Sequence, residues 1–163
     1  METAGEEKEM RVDIYIADAG SGPGRQERWT GYLMICNGKT AYGTECAEAT
    51  ENNAIITTIV AALDRFTRPA DITIHIENEW IIGRLVRIEG KDGAMENNLD
   101  IWQRHGWKTA RGTEVKNRNE WQRLYNKMRV FENSGATFQF AKLDKGALRD
   151  RVMTVIKNEK ERS

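Results

Sequence analysis

The stretch WQRHGWKTARGTEVKNRNEWQRL, residues 102–124, changes character in its middle, and the change fixes what surrounds it. Its first part sets Trp102 and Trp107 among cations, and TARGTEVKN (109–117) then reads as a polar turn. From 117 onward NRNEWQRLYNKMRVFE places Trp121, Leu124, Met128 and Phe131 three and four residues apart, an apolar stripe on one helix face. Asn117 stands where a side-chain cap for that helix is expected. Over residues 103–130, eight cations (Arg104, Lys108, Arg111, Lys116, Arg118, Arg123, Lys127 and Arg129) face two acids, Glu114 and Glu120. The chain as a whole carries 25 basic and 25 acidic residues, so its bulk charge selects no polyanionic partner. The local block does.

Upstream, RVDIYIAD (11–18) is β-branched and aromatic and runs into the glycine-rich AGSGPG (19–24), a strand followed by a loop. WTGYLMIC (29–36) and TAYGTECA (40–47) flank Asn37-Gly38, the signature of a two-residue hairpin turn. ENNAIITTIVAALDRF (51–66) switches to helical spacing through Ile55, Ile56, Ile59, Val60, Leu63 and Phe66, with Asn52 or Thr50 available as its cap. DITIHIE (71–77) alternates Ile72, Ile74 and Ile76 inward, and EWIIGRLVRI (79–88) is helical. Residues 89–98 form an irregular insert, ATFQFAK (136–142) a last strand, and residues 145–162 a last helix that ends in charge.

A chain of 163 residues with 39% hydrophobic residues supports one core. Residues 1–10 read as a disordered acidic tail, 11–158 as the domain and 159–163 as a charged tail. No apolar run approaches the roughly 18 residues a membrane helix needs, and the opening METAGEEKEM is acidic, so a cytoplasmic protein without a membrane partner is expected. In the hairpin register Cys36 faces Lys39 and Cys46 faces Trp29, so the thiols are not disulfide partners. His75 and His105 are far apart and far from any CxxC spacing, which argues against zinc.

Three stretches resemble type I ribonuclease H, in that family's order. VDIYIADAGSGPG resembles its first strand and glycine loop, and ATENNAIITTIVAAL the Asn-Asn that contacts hybrid at the start of its first helix. The third, residues 102–124, is similar to its basic protrusion and following helix almost residue for residue. The resemblance covers roughly residues 12–156. It implies an α/β fold with a five-stranded mixed sheet, elements in the order β-β-β-α-β-α-α-β-α with a further short helix in the middle, and helices on both faces. Strand one is expected centrally, beside strand four.

The resemblance further implies four carboxylates holding two divalent ions, one activating water and the other stabilising the leaving oxygen. Ala17 falls where the first-strand aspartate belongs. Asp18 follows it, and a one-residue step reverses the side chain unless a bulge re-aims it. Ile56 takes the place of the helix glutamate, and Glu51 sits too far back along the helix to replace it without rearrangement. Glu77 stands where the family has aspartate, and Asp150 matches the last aspartate, although a shift of one residue puts Arg149 there. The loop AKLDKG lacks the family's histidine, and Gly22 replaces a loop asparagine.

The expected catalytic and metal-binding set is therefore Asp18, Glu77 and Asp150, holding magnesium or manganese weakly if the protein is active and no cofactor otherwise. The expected nucleic-acid surface is Asn52, Asn53, Trp102, Arg104, Trp107, Lys108, Arg111, Lys116 and Asn117: cations for phosphates, aromatic faces for sugars and bases, amides for the minor groove. Three functions are compatible with this set. They are a catalytically impaired binder of RNA/DNA hybrid or duplex nucleic acid, an active divergent ribonuclease H, and a non-enzymatic protein-interaction module on the same scaffold.

Overall fold

A computed structural model describes residues 10–163 of the chain. The acidic segment expected to be disordered lies outside the described residues except for Met10, whose side chain packs on the core and whose carbonyl accepts from Asp71 N–H at 2.8 Å.

The strands are β1 (Arg11–Asp18), β2 (Gln26–Cys36), β3 (Lys39–Ala49), β4 (Asp71–Ile76), β5 (Ile88–Glu89), β6 (Met95–Glu96) and β7 (Thr137–Lys142). The helices are α1 (Glu51–Leu63), α2 (Glu79–Leu85), α3 (Asn98–Arg104), α4 (Arg118–Asn133) and α5 (Ala147–Arg162). Five strands form one mixed sheet in the order β3-β2-β1-β4-β7, with β1 central as expected, antiparallel to β2 and parallel to β4. The hairpin register is the expected one: Trp29 lies opposite Cys46, Cys36 opposite Lys39, and both thiols are free.

The period-two pattern of β1 divides the interior. Val12, Ile14 and Ile16 face α1 and α4, and join Ile56, Ile59, Leu63, Ile72, Ile74, Trp121, Leu124 and Met128 in the main core. Tyr15 and Ala17 face the other way, onto Leu33, Val152 and Ile156 beneath α5. The α4 stripe is buried as its spacing predicts, and Thr50 caps α1 by accepting from Asn53 N–H at 3.2 Å.

Three local expectations are corrected, and one open alternative is closed. The helices α1 and α2 stop at Leu63 and Leu85, ahead of the expected 66 and 88. The insert 89–98 is partly ordered, since Ile88–Glu89 and Met95–Glu96 pair as a small hairpin and Asn97 caps α3. Asn117 does not cap α4 with its side chain; its backbone is left-handed (φ 62°) and its Oδ1 instead accepts from Asn53 Nδ2 at 3.4 Å. Finally, the β1–β2 register runs unbroken from Val12 to Asp18, so no bulge re-aims Asp18. It projects to the α1 face, opposite to Ala17.

Ile56 is fully buried. Truncation to alanine removes contacts that the surrounding helix and sheet cannot close over, and should cost about 2–5 kcal/mol by urea unfolding at unchanged slope. A loss below about 1 kcal/mol would place the residue outside the core.

Candidate active site and nucleic-acid interface

Because β1 and β4 are parallel, their C-terminal ends meet at one edge of the sheet, beside the start of α1. Ligands of open α/β sheets bind at such ends. A cleft of about 250 Å³ lies there, and Asp18, Gly20, Glu51, Ile55, Glu77 and Asn78 are among the residues lining it. Asp18 and Glu77 thus meet without a bulge. Glu51, set aside on sequence grounds as too far back, lines the cleft as well, because it shares the cleft side of α1 with Ile55 four residues on while Ile56 turns into the core.

Asp150 is not brought to this cleft. Val152 and Ile156 are the buried residues of α5, and that puts Arg149, three and seven residues before them, on the inward side of the helix. Asp150 is exposed, and Arg149 Nε stands 2.9 Å from Glu77 Oε2.

Each carboxylate in the cleft already has a partner. Asp18 Oδ2 accepts from the Arg28 guanidinium, and Asp18 Oδ1 accepts from Gly20 N–H at 2.9 Å. The Arg28 side chain is wholly buried; its Nε donates to Ala49 O at 3.3 Å and its other terminal nitrogen to the carbonyls of Gly22 and Gly24. Position 20 must be glycine for this packing, since a Cβ there would stand 2.1 Å from the guanidinium. Glu51 Oε2 accepts from Asn78 Nδ2 at 2.7 Å, and the same amide donates to Asn52 Oδ1 at 2.9 Å. Among the described residues no group of three or more Asp, Glu, His or Cys side chains is placed to hold a metal ion. The residues do not fit the two-ion arrangement that dense, uncompensated negative charge would support.

The expected binding residues divide by burial. Lys108, Arg111 and Lys116 are exposed on a tight turn closed by Thr109 N–H to Thr113 O (2.7 Å), the paired Thr109 and Thr113 hydroxyls (2.7 Å) and Val115 N–H to Trp107 O (3.0 Å). Trp107 anchors that turn: it is buried, with its Nε1 donating to Gln103 Oε1 at 2.8 Å, so its face is closed to a base or sugar. This corrects the expectation of a binding tryptophan. Trp102 is half-buried against Trp121, and Arg104 is paired to Glu96 at 2.6 Å on the insert hairpin. Asn52 accepts from the cleft residue Asn78, and Asn53, next to it on α1, donates to Asn117.

Two features escaped the sequence reading. Trp80, on the first turn of α2, is 48% exposed with the Arg84 guanidinium 4.8 Å above its ring. Arg28 sits in β2 at an inward position shared with Thr30, Tyr32 and Met34, and a charge at an inward position is itself the signal of a buried ion pair. A larger cleft of about 960 Å³, bounded by Val86, Ile88, Lys91, Ile101 and His105, shares no residue with the carboxylate cleft.

No family model matches the chain. The ribonuclease H of Hyphomonas neptunium is 32% identical over 117 residues, covering 71% of this chain and 69% of that protein. That of Albidiferax ferrireducens is 30% identical over 114 residues, 69% of either chain. Among solved structures, LC9-RNase H1, a type 1 RNase H with the type 2 active-site motif, superposes with a TM-score of 0.62 at 14% identity, over 92% of this chain and 72% of its own. The foamy viral protease-reverse transcriptase in complex with RNA/DNA hybrid gives 0.58 at 10% identity, over 93% of this chain and 19% of its own. The sheet order and the relatives agree, and the chain belongs to the ribonuclease H family.

Removing Arg28 leaves the Asp18 carboxylate shielded and uncompensated. Arg28→Ala should destabilise the protein by about 3–5 kcal/mol, and adding Asp18→Asn should restore part of the loss. Additive losses in the double variant would show that the two side chains do not act as a pair.

Proposed function

We propose that the chain is a catalytically impaired ribonuclease H homologue that binds RNA/DNA hybrid or a related nucleic-acid duplex. The observation that carries the reading is a contrast in charge. Two of the three cleft carboxylates are neutralised from within, Asp18 by Arg28 and Glu77 by Arg149, whereas Lys108, Arg111 and Lys116 stand in solvent on a braced turn.

Hydrolysis through two ions would require the carboxylates to outcompete the hydration of both metals. A carboxylate already bonded to a guanidinium has given up part of that attraction, and Ile56 offers none. Binding asks less of the chain. Cations on the turn displace counterions from successive phosphates, and Asn52, Asn53 and Asn117 present amides beside the cleft, suited to minor-groove base edges and 2′-hydroxyls. The half-exposed Trp80 ring, two residues after Asn78, adds a candidate stacking surface. One observation favours the alternative of an active divergent enzyme: Glu51 brings a third carboxylate to the cleft.

Two assays decide. The unmodified protein should leave a labelled hybrid intact with magnesium or manganese; metal-dependent cleavage that Glu77→Gln abolishes would establish the active enzyme instead. Hybrid affinity should fall with salt, and replacing Lys108, Arg111 and Lys116 together by alanine should lower the log–log slope by roughly 2–3 units, since each phosphate contact contributes about 0.7–0.9. An unchanged slope would move the interface elsewhere.

A further inference from the structure

The two arginines at the cleft are not equivalent. Arg28 is saturated: its side chain is 0% exposed, and its nitrogens are spent on Asp18 and on three backbone carbonyls. Arg149 differs in both respects. Its side chain is 24% exposed, and although Nε lies 2.9 Å from Glu77 Oε2, that shielded N–H is not aligned on any acceptor. The guanidinium is held by charge rather than by hydrogen bonds, with Glu77 itself a lining residue of the cleft. A guanidinium presents five donors in a planar fork that matches two oxygens of a phosphodiester, and it gains most where those donors are unspent.

We propose that Arg149 is a phosphodiester-binding group, and that it makes duplex binding at this cleft independent of divalent metal. The inference rests on the nucleic-acid-binding reading above and deepens it. A strand held on one side by the basic turn and passing the ends of β1 and β4 must bring its phosphates near Asp18 and Glu77, whose carboxylates would repel them in addition to that of Glu51. Arg28 cancels the first charge permanently. Arg149 cancels the second while the cleft is empty, and can then turn its exposed end to the incoming phosphate, exchanging a misaligned carboxylate for aligned phosphate oxygens. Glu77 acts in this exchange as the resident anion that keeps the guanidinium at the cleft and competes with the ligand.

The test measures binding of a fluorescein-labelled RNA/DNA hybrid by anisotropy, in excess EDTA and in magnesium, across a salt series. The unmodified chain is expected to bind equally well in both. Arg149→Ala should weaken binding by about tenfold and lower the salt slope by about 0.7–0.9, one phosphate contact. Glu77→Gln, which removes the competing anion at nearly constant volume, should strengthen binding, and the gain should vanish in the Glu77→Gln/Arg149→Ala double variant. Three results would overturn the proposal: loss of binding in EDTA, wild-type affinity and slope in Arg149→Ala, or weaker binding by Glu77→Gln. If Arg149→Ala binds as the unmodified chain does while the triple variant of the basic turn still loses its slope, only the Arg149 site is lost and the binding function stands. Absence of hybrid binding by the unmodified chain at low salt overturns both.

Discussion

A guanidinium with no exposure to solvent has to be neutralised and hydrogen-bonded by the protein around it, and Arg28 imposes that requirement on three separate segments. It takes the carboxylate at the end of β1, the carbonyls of Gly22 and Gly24 in the glycine loop, and the carbonyl of Ala49 at the end of β3. The loop is thereby folded back over the sheet, and Pro23 O within it accepts from Glu51 N–H, tying the loop to the first turn of α1. One side chain thus sets the relative positions of Asp18, Gly20 and Glu51, three of the residues that line the cleft. An unpaired charge there would cost several kcal/mol, so the arrangement persists only as a whole.

The same bonds govern the chemistry left to the cleft. Two-metal hydrolysis depends on carboxylates crowded together without counter-charges, a state the fold must stabilise against mutual repulsion until the ions arrive. Here the repulsion is relieved by covalently tethered cations. Relief of this kind stabilises the fold, and it weakens the field that attracts free cations. Asp18 and Glu77 each face a guanidinium, while Glu51 faces only the Asn78 amide.

Much of this was legible in the sequence. The strands followed from the alternation in RVDIYIAD and DITIHIE and the hairpin from the Asn37-Gly38 turn, the central place of β1 from the resemblance to type I ribonuclease H, and the α4 stripe from Trp121, Leu124, Met128 and Phe131. The burial of Ile56 also followed from its helical spacing. What escaped the reading depended on direction within an element. Period two places Arg28 inward, a signal passed over in the sequence, and period 3.6 places Arg149, met there only as the neighbour of Asp150, on the side of Val152 and Ile156. Trp107 misled for a related reason: a tryptophan among cations suits stacking on a base equally well as anchoring a turn, and only its contacts with Trp102 and Tyr125 distinguish the two. Asn117 was placed at the right boundary of α4, but its left-handed backbone directs the amide toward Asn53 rather than back onto the helix.

Cleavage and binding place different demands on a fold, and so they can be lost separately. A metal pair depends on carboxylates from several elements converging within a few ångströms, which one side chain turned away can disrupt. The basic turn depends on its own closure and on its anchor in the core. Trp107 and Val115 fix its base in the core, the two threonines fix its neck, and Lys108, Arg111 and Lys116 need only remain solvated and near one another for phosphates to displace their counterions. Substitutions inside the cleft leave that turn untouched, because its bracing runs through α3 and α4 rather than through the glycine loop.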